Sequence, residues 1–141
     1  MCIRDSLFVV RIAGNTAQDP LAVGSVEYAA EHLGSILIMV LGHQNCGAVK
    51  AAVATATEGA HQEGKIQSFV DPIVPVVKRT KKKLSKGSKD KLVDESIQAN
   101  VKNSVDELSH TEPLLEHLVE KGKLKIVGGE YNLKSGKVEV L

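Results

Sequence analysis

ILIMVLGHQNCGAVKAA, residues 36–52, decides the fold. Ile36 to Leu41 is an apolar run without alternation, which with Ser35 predicts a strand covered on both faces and therefore central in a parallel sheet. Gly42 to Gly47 is a sharp turn at the carboxyl end of that strand, and the alanine-rich stretch 48–56 continues as a helix. Ligands of open α/β sheets sit at such turns.

Upstream, Leu7-Phe8-Val9-Val10 is a short run of β-branched and aromatic character closed by Gly14-Asn15, and it is expected to be a buried strand. Asp19-Pro20 supplies a helix start, an N-cap followed by proline at the first helical position. Ala22, Val26, Ala29, Ala30 and Leu33 then recur at helical spacing until Gly34. Strand, helix and strand in this order imply a right-handed crossover.

Downstream, 58–64 is expected to be a loop and 66–83 a helix interrupted at Pro72 and Pro75. A long helix is predicted over 90–108, with Val93, Ile97, Val101, Val105 and Leu108 as one apolar stripe. Thr111-Glu112-Pro113 starts a short helix to about residue 121, stopped by Gly122. The strand beginning at Leu124 to Val127 pairs with 137–141 around Lys134-Ser135-Gly136. The fold class read from this order is α/β: a mostly parallel central sheet flanked by helices, with a C-terminal β-hairpin.

At 141 residues the chain has the length of one domain. It is 43% hydrophobic and 3% aromatic with no Trp, so its core is built from Val, Leu, Ile and Ala. The formal net charge of +1 gives no whole-chain case for nucleic acid or membrane binding. Lys78, Arg79, Lys81, Lys82, Lys83 and Lys86 form a basic cluster, but no aromatic stacking platform accompanies it, and a solvated helix end is expected. No apolar run approaches the roughly 18 residues that cross a bilayer. Two cysteines, Cys2 and Cys46, are too few for a disulfide-stapled scaffold.

The chemistry concentrates in the turn. His43 and Cys46 stand three residues apart, so an imidazole nitrogen and a thiolate sulfur can reach a common point, and both are zinc ligands. Gly42 and Gly47 are expected to allow the tight backbone path, and the amides opening the next helix could hold an anion such as bicarbonate. Spacing alone leaves a second reading open, with Cys46 a buried apolar filler and His43 a hydrogen-bonded turn residue. His32, His61, His110 and His117 have no nearby cysteine and are expected at the surface.

LFVVR followed by AGN, GSVEYAAEHL, ILIMVLGHQNCGAVKAA and GKLKIVGGEYNLKSGKVEVL together resemble the β-class carbonic anhydrases, in the family's order, from Leu7 to Leu141. The resemblance implies zinc-dependent interconversion of carbon dioxide and bicarbonate, with one Zn2+ per subunit. In that family two cysteines and a histidine hold the metal, and His43 and Cys46 match the histidine and the second cysteine. Tyr28 matches a pocket tyrosine, Phe8 and Ala13 match apolar lining near the carbon dioxide site, and Gly47 follows the second cysteine. Metal-bound hydroxide attacking carbon dioxide is the implied mechanism, and it needs an open fourth position on the zinc. A homodimer or an assembly of dimers is implied as well. Bacterial relatives include cytoplasmic and periplasmic forms, and any signal would lie upstream of this chain.

The chain departs from the family at its start. The family's first zinc cysteine lies in Cys-x-Asp-Ser-Arg, whose Asp and Arg pair beside the metal. Residues 1–6 here read Met-Cys-Ile-Arg-Asp-Ser and abut LFVVR directly. They are read as a junction foreign to the domain, with 7–141 a single carbonic anhydrase-like domain incomplete at its N-terminus. No catalytic Asp-Arg pair is assignable, Cys2 is not expected to be a ligand, and activity is expected to be impaired. Ile12 stands where relatives commonly have Asn. A non-catalytic assembly or anion-binding member of the same fold is the alternative. A nucleotide-binding domain is disfavoured because neither GxGxxG nor GxxxxGK[ST] occurs.

Overall fold

The computed structural model describes residues 7–84 and 87–141, together with the backbone of residues 2–3. Two short strands, β1 (Cys2–Ile3) and β2 (Leu7–Phe8), pair antiparallel as a separate ribbon. Next come a single 3-10 turn at Ala13–Asn15, α1 (Pro20–His32), β3 (Leu37–His43) and α2 (Gly47–Glu58). The chain continues through α3 (Ile66–Val70), α4 (Val74–Lys83), α5 (Lys89–Ser109), α6 (Leu114–Glu120), β4 (Lys125–Tyr131) and β5 (Val138–Val140).

Local signals formed the expected helices. The Asp19 carboxylate accepts from the Leu21 and Ala22 amides at 2.8 and 2.9 Å, with Pro20 opening α1. Ser88 caps α5 through the Lys91 amide at 3.2 Å. Pro72 and Pro75 divide α3 from α4 as their missing amide donors require. The chain closes in the expected hairpin, where the Asn132 carboxamide oxygen accepts from the Lys134 and Ser135 amides.

The main sheet has the order β3-β4-β5. Seven parallel pairs, Leu37 with Lys125 through His43 with Tyr131, outnumber the three antiparallel pairs of β4 with β5. Helices α2, α4 and α5 enclose one core around Val49, Ala52, Val53, Val70, Ile73 and Val77. A second core joins Val40, Val101, Leu108, Leu115 and Leu124 to the inner faces of α1 and α6. Helix α5 bridges the two, with Ile97 in the first and Val101 in the second.

Three expectations are corrected. Leu7–Phe8 is not a buried strand of the main sheet: Leu7 is 64% and Val9 55% exposed, and among the described residues it pairs with β1. The expected crossover between it and β3 is therefore absent, because the two strands do not share a sheet. Strand β3 lies at an edge rather than at the centre, and Leu37, Met39 and Leu41 are exposed on one face while Val40 and Gly42 are buried on the other. An unalternating apolar run demands apolar character on both faces, and here only one face has found a cover. The expectation for residues 1–6 concerns, apart from the Cys2–Ile3 backbone, residues outside those described, as does Lys86 of the basic cluster.

Candidate functional site

The turn after β3 is fixed at both ends. Gln44 donates its amide to Tyr131 O at 3.2 Å, extending the parallel ladder one step beyond His43, and Lys50 donates to Cys46 O at 3.0 Å, the first bond of α2. Between them Asn45 takes a left-handed backbone, φ 57°, a conformation Asn tolerates better than most residues, while its side-chain oxygen accepts from Lys50 Nζ at 3.3 Å.

Asn45, not the flanking glycines, thus supplies the positive-φ residue that the sharp turn needs. Gly42 serves a different purpose. A Cβ there would stand 2.5 Å from Val101 Cγ2, so glycine lets α5 close on the sheet. At Gly47 a Cβ would meet nothing within 4 Å, which leaves the start of α2 open on that side.

His43 is exposed, and its Nδ1 lies 2.8 Å from Gln44 O. A carbonyl can only accept, so Nδ1 carries the proton in this contact and Nε2 of the neutral ring keeps its lone pair. That is the tautomer arrangement in which a histidine binds a metal through one nitrogen while the other is held by a carbonyl. Cys46 occupies the N-cap of α2 and is 5% exposed, with its side chain against the first core. Cys46 makes no side-chain cap bond to α2, and a helix start carries amides able to face an anion.

Among the described residues, no three His, Cys, Asp or Glu side chains gather as a metal cluster. A catalytic zinc takes three protein ligands. The described donors therefore do not complete a zinc site.

The remaining matched positions are dispersed. Ala13 is exposed and lines a shallow groove with Ile12, Thr16, Pro20, Phe69 and Pro72. Its 3-10 turn touches β3, α2, α3 and α5. Phe8 is half-buried on β2, and Tyr28, 54% exposed on α1, packs its ring against His32 with centroids 5.0 Å apart. His32, His61, His110 and His117 are exposed, as expected of surface histidines. The His110 imidazole is held above its ordinary titration range by the Asp106 carbonyl and then by the Asp106 carboxylate, where it closes the end of α5.

Sequence reading missed Asn45, Tyr131 and Asn100. Asn45 had a usable signal, an asparagine inside a sharp turn. The other two are placed by register and by tertiary contact, which no local pattern reports.

The family model described as carbonic anhydrase matches residues 4–138. Carbonic anhydrase 2 of Mycobacterium tuberculosis is 37% identical over 133 residues, covering 93% of this chain and 60% of that protein. The carbonic anhydrase of Mycolicibacterium smegmatis is 36% identical over 135 residues, covering 95% of this chain and 62% of the relative. Among solved structures, the Coccomyxa β-carbonic anhydrase in complex with acetazolamide superposes with a TM-score of 0.83 at 28% identity, over 95% of this chain and 60% of that one. This chain therefore spans about three-fifths of the length of these relatives. With the His43-to-Cys46 turn at the end of a parallel strand and the family match running over nearly the whole sequence, the chain belongs to the β-class carbonic anhydrases.

Proposed function

We propose that this chain is the larger part of an enzyme that reversibly hydrates carbon dioxide to bicarbonate and a proton, and that His43 and Cys46 are two of the ligands of one Zn2+ per subunit. The observation that carries this reading is the turn itself. His43 is held by a carbonyl through Nδ1, which leaves Nε2 available, and three residues on Cys46 opens α2. Residues 7–141 are taken as one domain. Ala13, Phe8 and Tyr28 are proposed to line the carbon dioxide side of the site, and the open backbone at Gly47 to admit the bicarbonate anion to the first turn of α2.

With two proposed donors among the described residues where three are needed, zinc affinity and turnover are both expected to be low. Metal analysis and stopped-flow carbon dioxide hydration test this together. Sub-stoichiometric zinc with weak turnover that vanishes on substituting His43 or Cys46 is expected. Full zinc with full activity would contradict the deficit.

A non-catalytic, anion-binding or assembly role is the second reading, favoured by the absence of a three-donor cluster among the described residues. Stoichiometric zinc without any turnover would select it. In either case we propose a homodimer, or an assembly of dimers, in which a second copy covers the face carrying Leu37, Met39, Leu41, Val138 and Val140, each at least 43% exposed. These residues lie on one side of the sheet by register, and contiguous bare apolar surface marks an association site. Sedimentation should report a dimer at micromolar concentration; a monomer there would remove this part of the proposal.

A further inference from the structure

Asn100 is 2% exposed in the middle of α5, and its Nδ2 donates to Gly14 O at 2.8 Å, a buried bond between residues 86 apart in sequence. Gly14 is itself buried and left-handed, φ 80°. A Cβ on it would stand 2.8 Å from Ile73 Cδ1 and 3.3 Å from Ala48 Cβ. Ala48 is the second residue of α2, two positions after Cys46. The 3-10 turn at Ala13–Asn15 is thus wedged between α5, which holds its carbonyl, and the first turn of α2, which it touches.

We propose that Asn100 is a positioning residue. By holding Gly14 O it presses the Ala13–Asn15 turn onto Ala48, and so fixes the start of α2 that carries Cys46 and faces the proposed anion. The inference rests on the reading of the 43–46 turn as the functional site, but its geometry is independent of any metal. The physical reason is that a buried carbonyl deprived of its donor is left unsatisfied, and the turn relaxes toward water to recover a partner. The turn also carries two left-handed residues, Gly14 and Asn15 at φ 42°, a backbone conformation that needs its surroundings to hold it.

Asn100→Ala tests this through local opening in the metal-free chain. The Lys50 amide, bonded to Cys46 O, is expected to exchange with solvent about fivefold to tenfold faster, and Cys46 to be alkylated faster by a similar factor, resolved from Cys2 by peptide mapping. The Leu124 amide, which donates to Leu118 O on the far side of α5's contacts with α6, should stay within about twofold. Ser104→Ala, on the same face of α5 and equally buried, should leave the Lys50 and Cys46 rates unchanged. A purely structural role would move Lys50 and Leu124 together or neither, and either result overturns the proposal.

Should Asn100→Ala not fold, the unsubstituted chain decides. The bonded Asn100 side-chain amide proton and the Lys50 amide are expected to show the same protection factor, each relative to its own intrinsic exchange rate, because one opening event exposes both; unequal protection would overturn the coupling. Cobalt titration of the unsubstituted chain without a thiolate-to-cobalt absorption would remove the metal reading alone, since the exchange rates still judge Asn100.

Discussion

Gly42→Ala is expected to destabilise the protein by about 1–3 kcal/mol. Val101, fully buried on α5, points into a gap made by two glycines of adjacent strands: a Cβ at Gly42 would come within 2.5 Å of its Cγ2, and one at Gly128 within 2.7 Å of its Cγ1. Neither glycine has a positive φ, so the cost is steric, not conformational. Close packing leaves no slack for even one methyl group. The decisive measurement is a double-substitution cycle by urea unfolding. Val101→Ala alone should cost about 2 kcal/mol through lost burial and a cavity. Combined with Gly42→Ala it should cost less than the sum by about 1 kcal/mol or more, because the new methyl enters the space the valine vacates. Strict additivity would mean that α5 does not rest on these glycines.

Substituting His43 or Cys46 by alanine is expected to lower zinc affinity on the order of 100-fold or more, since even partners that merely orient a metal ligand are worth tenfold to 100-fold. The two variants should separate cleanly in stability. His43 is exposed, and among the described residues its ring meets its neighbour's carbonyl, so its removal should leave metal-free stability within about 0.5 kcal/mol. Cys46 is buried against the first core, and its loss should cost about 1 kcal/mol as well as the metal. Equilibrium dialysis against zinc, paired with thermal unfolding in chelator, reads both effects. Unchanged affinity in both variants would leave Cys46 as an apolar filler and His43 as a turn residue.

The helices were legible because their signals are local. Asp19 before Pro20, Ser88 before the α5 stripe, and Gly34 and Gly122 with φ of 71° and 67° after the last turns each report their own few residues. The hairpin was legible for the same reason. The place of β3 in the sheet was not, because Ile36 to Leu41 specifies two apolar faces without saying what covers either. The structure supplies α5 against Gly42 and leaves Leu37, Met39 and Leu41 bare. His43 and Cys46 were singled out from their spacing and from the sequence around them, and the structure places both on the turn between β3 and α2. Its supports could not: Tyr131 meets the turn through strand register, and Asn100 reaches Gly14 across 86 positions.

X-ray absorption at the zinc edge of the zinc-loaded chain tests the central claim most directly. One sulfur at about 2.3 Å and one imidazole nitrogen at about 2.0 Å, with lighter ligands filling the remaining positions, is the expected first shell. A zinc ion surrounded by oxygen alone would contradict it.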